Sequence, residues 1–530
     1  MAAFARHWLI VAGGTACSRL LGLVRDMALA WLLGAGPLAD AVTTALRLPF
    51  AVRRLFGEGV LSQELTARFV QARRAREGGD VTLLRGMTGI VAGAGLALLA
   101  LCLPFAGCVV TVLAPGFSGE PGWLHQTAAL FRICAGYLPA VLCAAVCMAF
   151  LHARSRFGAP SMTGSLFNLT VVGFCAVAAL GVGNPGEMVA WGVLLGGLVQ
   201  WGTLVPAVRA EIRREAVPPR SPAPGGSGMD GRLWTVARGL PVGIVCAALP
   251  QLVFLIAAGI VSLQAESSLA ALFYAERLLE FPLGLIGSAL GIAATTRLAE
   301  LGTKQGAERI PEQSPGQDRG RQTHTGDEES LETTLRRVLE LGLLFSLPAT
   351  AGLLALAGPL VAVLFGRGSF DAAAVGLTAS AVCAYAPGLP AYAASRPLLA
   401  ACNTLHDRRT PLLAVVCGLA LALAGGLVMT DWVGFAGAPL AASLGLWGYA
   451  GVLWLGVRGR MAGCAFPWSV CALGGAGSAV VYAAARAIAG WADTPLGGVA
   501  LAVPCGVALY AALLLGSRVG RVRIAALLRF

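Results

Sequence analysis

Lysine occurs once in this 530-residue chain, at Lys304, and no GxxxxGKS or GxxxxGKT loop surrounds it, so the usual cradle for nucleotide phosphates is missing. Neither an HExxH zinc signature nor a Ser/His/Asp constellation is present, and the five histidines (His7, His125, His152, His324, His406) are scattered. The 14 cysteines form no CxxC pair. Those such as Cys102, Cys108, Cys143, Cys147 and Cys246 lie within apolar runs, where a thiol packs as a small hydrophobe. ATP hydrolysis, zinc chemistry and thiol redox chemistry are therefore set aside. Charge of either sign is scarce as well, at 12% of residues against roughly a quarter in soluble domains.

What fills the chain instead is apolar: 57% hydrophobic residues, with a mean hydropathy of +0.75. Runs of about 20 apolar residues, the length that crosses a bilayer as a helix, recur from Gly89–Leu113 to Val499–Leu515. Their near-continuous character argues against the alternation of a barrel. The fold class read from this pattern is an all-α polytopic membrane protein. By span length it holds about fourteen transmembrane helices, starting near Trp8, Leu38, Gly86, Thr127, Ser161, Met188, Leu233, Ser268, Thr334, Ala372, Pro411, Phe435, Trp468 and Leu496. "WLIVAGGTAC" after Arg6 reads as the first span rather than a cleaved signal, because no polar domain follows it.

The formal charge of +12 is spread in short clusters between the runs, which excludes a nucleic-acid face and suits loops on the cytoplasmic side. With both termini inside, the inner loops are Arg68–Arg85, His152–Arg156, Arg209–Arg232, Arg297–Arg337, Asn403–Arg409 and Arg458–Arg460, plus the basic tail. All are basic, whereas Arg367 is the only basic residue in the outer loops. Pro, Gly, Ser and charge mark two linkers, 209–232 and 303–332. The expected organisation is a lobe over 1–208, a second over 233–460 that contains the 303–332 linker, and a C-terminal pair of helices with the tail over 461–530.

The feature that calls for function is charge inside the apolar segments. "SRLLGLVRDMALAWLLGAGPLAD" carries Arg19, Arg25, Asp26 and Asp40, and the next span adds Arg47, Arg53, Arg54 and Glu58. Each Arg or Asp at mid-bilayer costs about 2.5–3.5 kcal/mol, so these groups must face partners or water. Arg19 and Asp26, seven apart, return to one helix face; Asp40, Arg47, Arg54 and Glu58 fall in one stripe, although Pro49 interrupts that helix. Spacing alone leaves open whether Arg53 or Arg54 points inward. The second half repeats an Arg shortly before a Pro, with Arg277 and Pro282 echoing Arg47 and Pro49. Glu280 stands one turn from Arg277, and Arg396 sits beside Pro397. Arginine outnumbers acid in this set, and guanidinium forks suit phosphate oxygens, so the expected cargo is an anion such as a phosphate or diphosphate. Charges that merely pair or snorkel are the bland alternative. Without a nucleotide site, the energy would come from membrane potential, a monovalent cation gradient or the cargo's own gradient; no cofactor is expected.

"SRLLGLVRD…LLGAGPLADAVTTALRLPFAVRRLFGEGVLSQ", followed by "RFGAPSMTGSLFN", "YAERLLEFPLGLIGSALG" and "HDRRTP", resembles the MurJ (MviN-type) lipid II flippases of the multidrug/oligosaccharidyl-lipid/polysaccharide exporter superfamily. The resemblance implies two six-helix lobes around a V-shaped cavity, with two last helices forming a groove for a polyprenyl tail. It implies movement of undecaprenyl-diphosphate disaccharide-pentapeptide to the outer leaflet of the bacterial inner membrane, with lipid II, the bilayer and the cell-wall synthesis machinery as partners and neither ATP nor nucleic acid. By motif, Arg19, Arg25, Arg53 and Arg277 resemble the diphosphate-holding set. Asp26, Asp40, Arg47, Glu58, Glu280 and Arg396 resemble the polar groups that gate or balance it. For sodium, which some relatives bind, Asn403 and Asp407 have suitable spacing, but Leu233–Val261 lacks any Asp or Glu and departs from that pattern. The rival functions are export of another polyprenyl-linked glycan or of amphiphilic drugs, and, from another class, a membrane glycosyl- or phosphotransferase acting on a lipid phosphate.

Overall fold

The computed structural model describes residues 2–57, 60–75, 79–214, 248–249, 251–264, 269–284, 331–405, 407–461, 465–518 and 520–521. The described residues form a chain of helices, α1 Ala2–Leu33, α2 Pro37–Val52, α3 Val60–Ala75, α4 Gly79–Cys102, α5 Ala106–Leu113, α6 Pro121–Ala135, α7 Tyr137–Ala153, α8 Gly158–Ala179 and α9 Pro185–Arg214. Next come α10 Gln251–Val261 and α11 over 269–284. The series ends with α12 Leu331–Leu364, α13 Ala372–Tyr385, α14 Leu389–Thr404, α15 Arg409–Val433, α16 Gly437–Arg460, α17 Trp468–Trp491 and α18 Pro495–Gly516. Among the described residues, nine helical stretches are long and apolar enough to cross a membrane, and the chain is a multi-span membrane protein. Helix suits these sequences because lipid offers no partner for a backbone N–H or C=O, and a helix satisfies both internally.

One expected loop is not a loop. Arg68–Arg85 is helical over most of its described length, since α3 runs to Ala75 and α4 begins at Gly79. Its arginines mark one face of an amphipathic helix: Arg73 and Arg74 are exposed, while Leu65 and Phe69 are buried against Phe150 and Leu151 of α7. A helix of this kind needs only one apolar stripe, and the charge of the other face masked it in the sequence. The Leu233 start lies outside the described residues, as do His324, Lys304 and most of both linkers.

The helices sort into two compact units, one of residues 1–277 with 364–378, the other of 278–363 with 379–530. In the first, α1 packs along α8, α8 along α9, and α7 against α4 and α9. In the second, α15 and α16 form a long antiparallel pair, closed tightly because a Cβ at Gly445 would stand 2.6 Å from the Gly418 carbonyl oxygen. Ala485 of α17 and Ala502 of α18 pack on Ala355 and Leu356 of α12. Tyr510 of α18 donates to the Leu344 carbonyl of α12 at 2.8 Å.

Candidate functional site: an arginine cluster on aromatic rings

The first unit brings α1, α2, α8 and α11 together around buried charge. Arg25 and Asp26, adjacent on α1, form an ion pair, with Arg25 Nε and Nη2 donating to Asp26 Oδ1 at 2.9 and 2.7 Å. Arg25 Nη1 donates to Asn168 Oδ1 of α8 at 3.0 Å. The Asn168 amide in turn donates to the Ser18 carbonyl at 3.0 Å, so α8 grips α1 at this level. All three side chains are buried. The carboxylate and the amide offset the penalty of placing a guanidinium away from water.

Three guanidiniums then rest on a row of phenyl rings. Arg25 lies 5.2 Å from the Phe50 ring centre, Arg277 lies 5.4 Å from the same ring and 4.5 Å from Phe273, and Arg53 lies 4.8 Å from Phe167. Phe50 meets Phe167 edge-on at 6.2 Å and stacks with Phe273 at 6.5 Å. Arg25 feels both Arg53 and Arg277 electrostatically. The negative faces of the rings lower the cost of gathering like charges, and a cluster that is cationic in sum suits an anion.

Pro49 has no N–H to offer the preceding turn, and the helix continues past Val52 as a π-helical turn, Arg53–Gly57. Both arginines of the ambiguous pair are half-buried, in different surroundings. Arg53 joins Phe167, whereas Arg54 donates to Gln251 Oε1 of α10 at 3.1 Å. The predicted stripe holds for its described members: Asp40, Arg47 and Arg54 all engage α10 or α11. Asp40 Oδ1 accepts from the Ala270 N–H of α11 at 2.6 Å. Arg47 pairs with Glu276 at 3.0 Å and reaches the Leu269 carbonyl at 3.4 Å. Arg47, Arg54, Gln251, Glu276 and Arg277 line a cavity of about 20 Å³, room for one water.

A backbone junction seals the same unit beyond Asp40. The Ser369 N–H donates to the Trp31 carbonyl at 3.1 Å, at the turn between α1 and α2. Gly34 there adopts φ +66, and a Cβ on it would stand 2.3 Å from the Ser369 carbonyl oxygen. Only glycine fits.

Of the remaining expected residues, Arg19 is half-buried on α1, and Glu58 lies outside the described residues. Glu280 is half-buried and belongs to the second unit. In that unit Arg396 is exposed, bonded to the Tyr392 hydroxyl at 2.7 Å and lying 5.3 Å from its ring centre. Asn403 is exposed. Asp407 is buried, with Oδ1 accepting from the Arg409 and Thr410 N–H groups at 3.0 and 3.2 Å and its carboxylate paired with Arg460. Among the described residues no group of three or more His, Cys, Asp or Glu is arranged to hold a metal ion. Sequence reasoning missed Asn168, Gln251 and the three phenylalanines. A lone amide in an apolar helix was a usable signal for the first two; a Phe in such a helix carries none.

The family model described as "Lipid II flippase MurJ" matches residues 29–493. The chain is similar to the "Probable lipid II flippase MurJ" of Bdellovibrio bacteriovorus, with 29% identity over 80% of this chain and 76% of that protein. The protein of the same description from Rhizobium meliloti is 29% identical over 86% of this chain and 82% of the relative. Among solved structures, a lipid II flippase MurJ in an inward closed conformation superposes with a TM-score of 0.74 at 18% identity, covering 96% of this chain and 98% of that one. An inward-facing multidrug resistance MATE family transporter of the MOP superfamily gives a TM-score of 0.64 at 15% identity over 84% and 95%.

Proposed function

This chain belongs to the lipid II flippase MurJ family, and on that footing we propose that it is a transporter, not an enzyme, carrying lipid II from the inner to the outer leaflet of the bacterial cytoplasmic membrane by alternating access. The observation that carries the reading is the gathering of Arg25, Arg53 and Arg277 on Phe50, Phe167 and Phe273 within an apolar helical unit. A diphosphate offers two sets of oxygens to such forks. Arg19 belongs to the same binding set. Asp26 is the counter-ion that keeps Arg25 tolerable in lipid while the site is empty, and it yields to the phosphates when cargo arrives.

Asp40 with the Ala270 N–H of α11, Arg47 with Glu276, and the Gly34–Ser369 junction form the outer closure of the inward-facing state. They must part for release. Glu58, Glu280 and Arg396 complete the polar set of the pathway. The lobes are 1–208 and 233–460, rocking about the site, and α17 and α18 within 461–530 guide the polyprenyl tail. Both termini face the cytoplasm, and the cycle draws on membrane potential or a monovalent cation gradient.

The test is complementation of a flippase-depleted bacterium by the wild type and by Arg25→Ala, Arg53→Ala and Arg277→Ala, beside flux of lipid II and of amphiphilic drugs in vesicles. Rescue by the wild type with loss in the variants is expected. Equal rescue by all, or transport of drugs but not lipid II, overturns the reading.

A further inference from the structure

Resting on the reading that the arginine cluster holds a lipid-linked diphosphate, we propose that Phe50 is the positioning residue that makes the site prefer a diphosphate over a monophosphate head group. Its ring is buried on α2, directly after Pro49. Two guanidiniums from different helices share it: Arg25 of α1 at 5.2 Å from the ring centre and Arg277 of α11 at 5.4 Å. Like charges so placed repel, and something must hold them. Asp26 and Asn168 hold Arg25 through its N–H groups, a hold that has to be given up when those groups turn to phosphate. The phenyl face attracts both cations electrostatically and takes no donor, so its hold persists while the N–H groups change partner. Arg277 is further steadied by Phe273, which stacks on Phe50 at 6.5 Å, and Arg25 by Asn168.

The ring therefore fixes the relation between two charged forks. A ligand with two phosphoryl groups benefits from that fixed relation, because the two cations are already held side by side before it arrives. A single phosphoryl group is satisfied by one fork and gains little from the second being held in register. An aliphatic side chain at 50 would fill the volume and lose the attraction, which separates positioning from packing.

The experiment uses the full chain in lipid nanodiscs, with undecaprenyl diphosphate and undecaprenyl monophosphate as probes. The variants are Phe50→Leu, monofluoro- and trifluorophenylalanine at position 50, and Arg277→Ala as control. Fluorination keeps the shape and weakens the ring's negative face, so it remains informative if Phe50→Leu fails to fold. Expected is a loss of diphosphate affinity graded with fluorination, reaching about tenfold for the trifluoro ring and Phe50→Leu. Monophosphate binding should change by less than about threefold, so the preference collapses. Unchanged preference across the fluorinated series, with diphosphate binding still lost in Arg277→Ala, overturns the role of Phe50 and leaves the diphosphate reading standing. A wild type that binds neither probe, or an Arg277→Ala that binds like the wild type, overturns the diphosphate reading itself and the role of Phe50 with it.

Discussion

Glu276→Gln is the sharpest test of how this chain tolerates charge in an apolar interior. Glu276 and Arg47 are paired at 3.0 Å with side chains only 6% and 3% exposed, so neither can turn to water when the other is removed. Breaking a buried pair from one side leaves an uncompensated charge and costs about 3–5 kcal/mol. That is roughly a 150- to 5,000-fold drop in the folded-to-unfolded ratio. The Leu269 carbonyl, 3.4 Å from Arg47 Nη2, is too distant and too weak an acceptor to replace a carboxylate. Arg47→Met alone should cost a similar amount by stranding the glutamate. Arg47→Met together with Glu276→Leu removes both charges at similar volume and should return to within about 1 kcal/mol of the wild type. Denaturation of the purified chain in mixed micelles, run as a double-mutant cycle, gives the coupling directly. Additive effects of the two substitutions, or single variants as stable as the wild type, would refute the argument that the pair exists to neutralise itself.

Three further outcomes follow from the same geometry. Asp40→Ala leaves the Ala270 N–H without its acceptor, a loss of about 1–2 kcal/mol; the proposed outer closure should loosen, read as faster labelling of a cysteine placed at the buried Ala35, whereas Asp40→Asn should retain part of the bond. Gly34→Ala, at φ +66 against the Ser369 carbonyl, should destabilise by more than about 1 kcal/mol and raise the same labelling rate, while Gly36→Ala, with open space around it, should leave it unchanged. Asp407→Ala should lower thermal stability through the lost α15 cap and the lost Arg460 pair, by about 1–2 kcal/mol, and leave the sodium dependence of transport as it is in the wild type; a changed sodium response would show that the carboxylate serves an ion.

Much of the helical layout was legible because lipid as solvent imposes one rule on every span. Predicted starts at Leu38, Ser161, Thr334, Ala372, Pro411, Trp468 and Leu496 fall within three residues of α2, α8, α12, α13, α15, α17 and α18. The misread segment was Arg68–Arg85, where the burial of α3 depends on Phe150 of α7, a residue far off in sequence. The stripe of Asp40, Arg47 and Arg54 was legible from a period of seven, and the structure gives its reason in α10 and α11. Arg53 was not, because a π turn changes the residue count per turn only where the chain after Pro49 lets it.

Taken alone, the sequence determined that this is a polytopic membrane protein whose ions are too costly to face lipid, since apolar length and the penalty for charge are properties of segments that need no knowledge of neighbours. Which ion meets which partner was decided by tertiary structure. Asn168 reaches Arg25 across 143 positions and Glu276 reaches Arg47 across 229, and pairings of that range follow from how helices pack rather than from spacing along any one of them. The aromatic row beneath the arginines belongs to the same class: a phenylalanine in an apolar helix looks like any other core residue until the fold brings a guanidinium to its face.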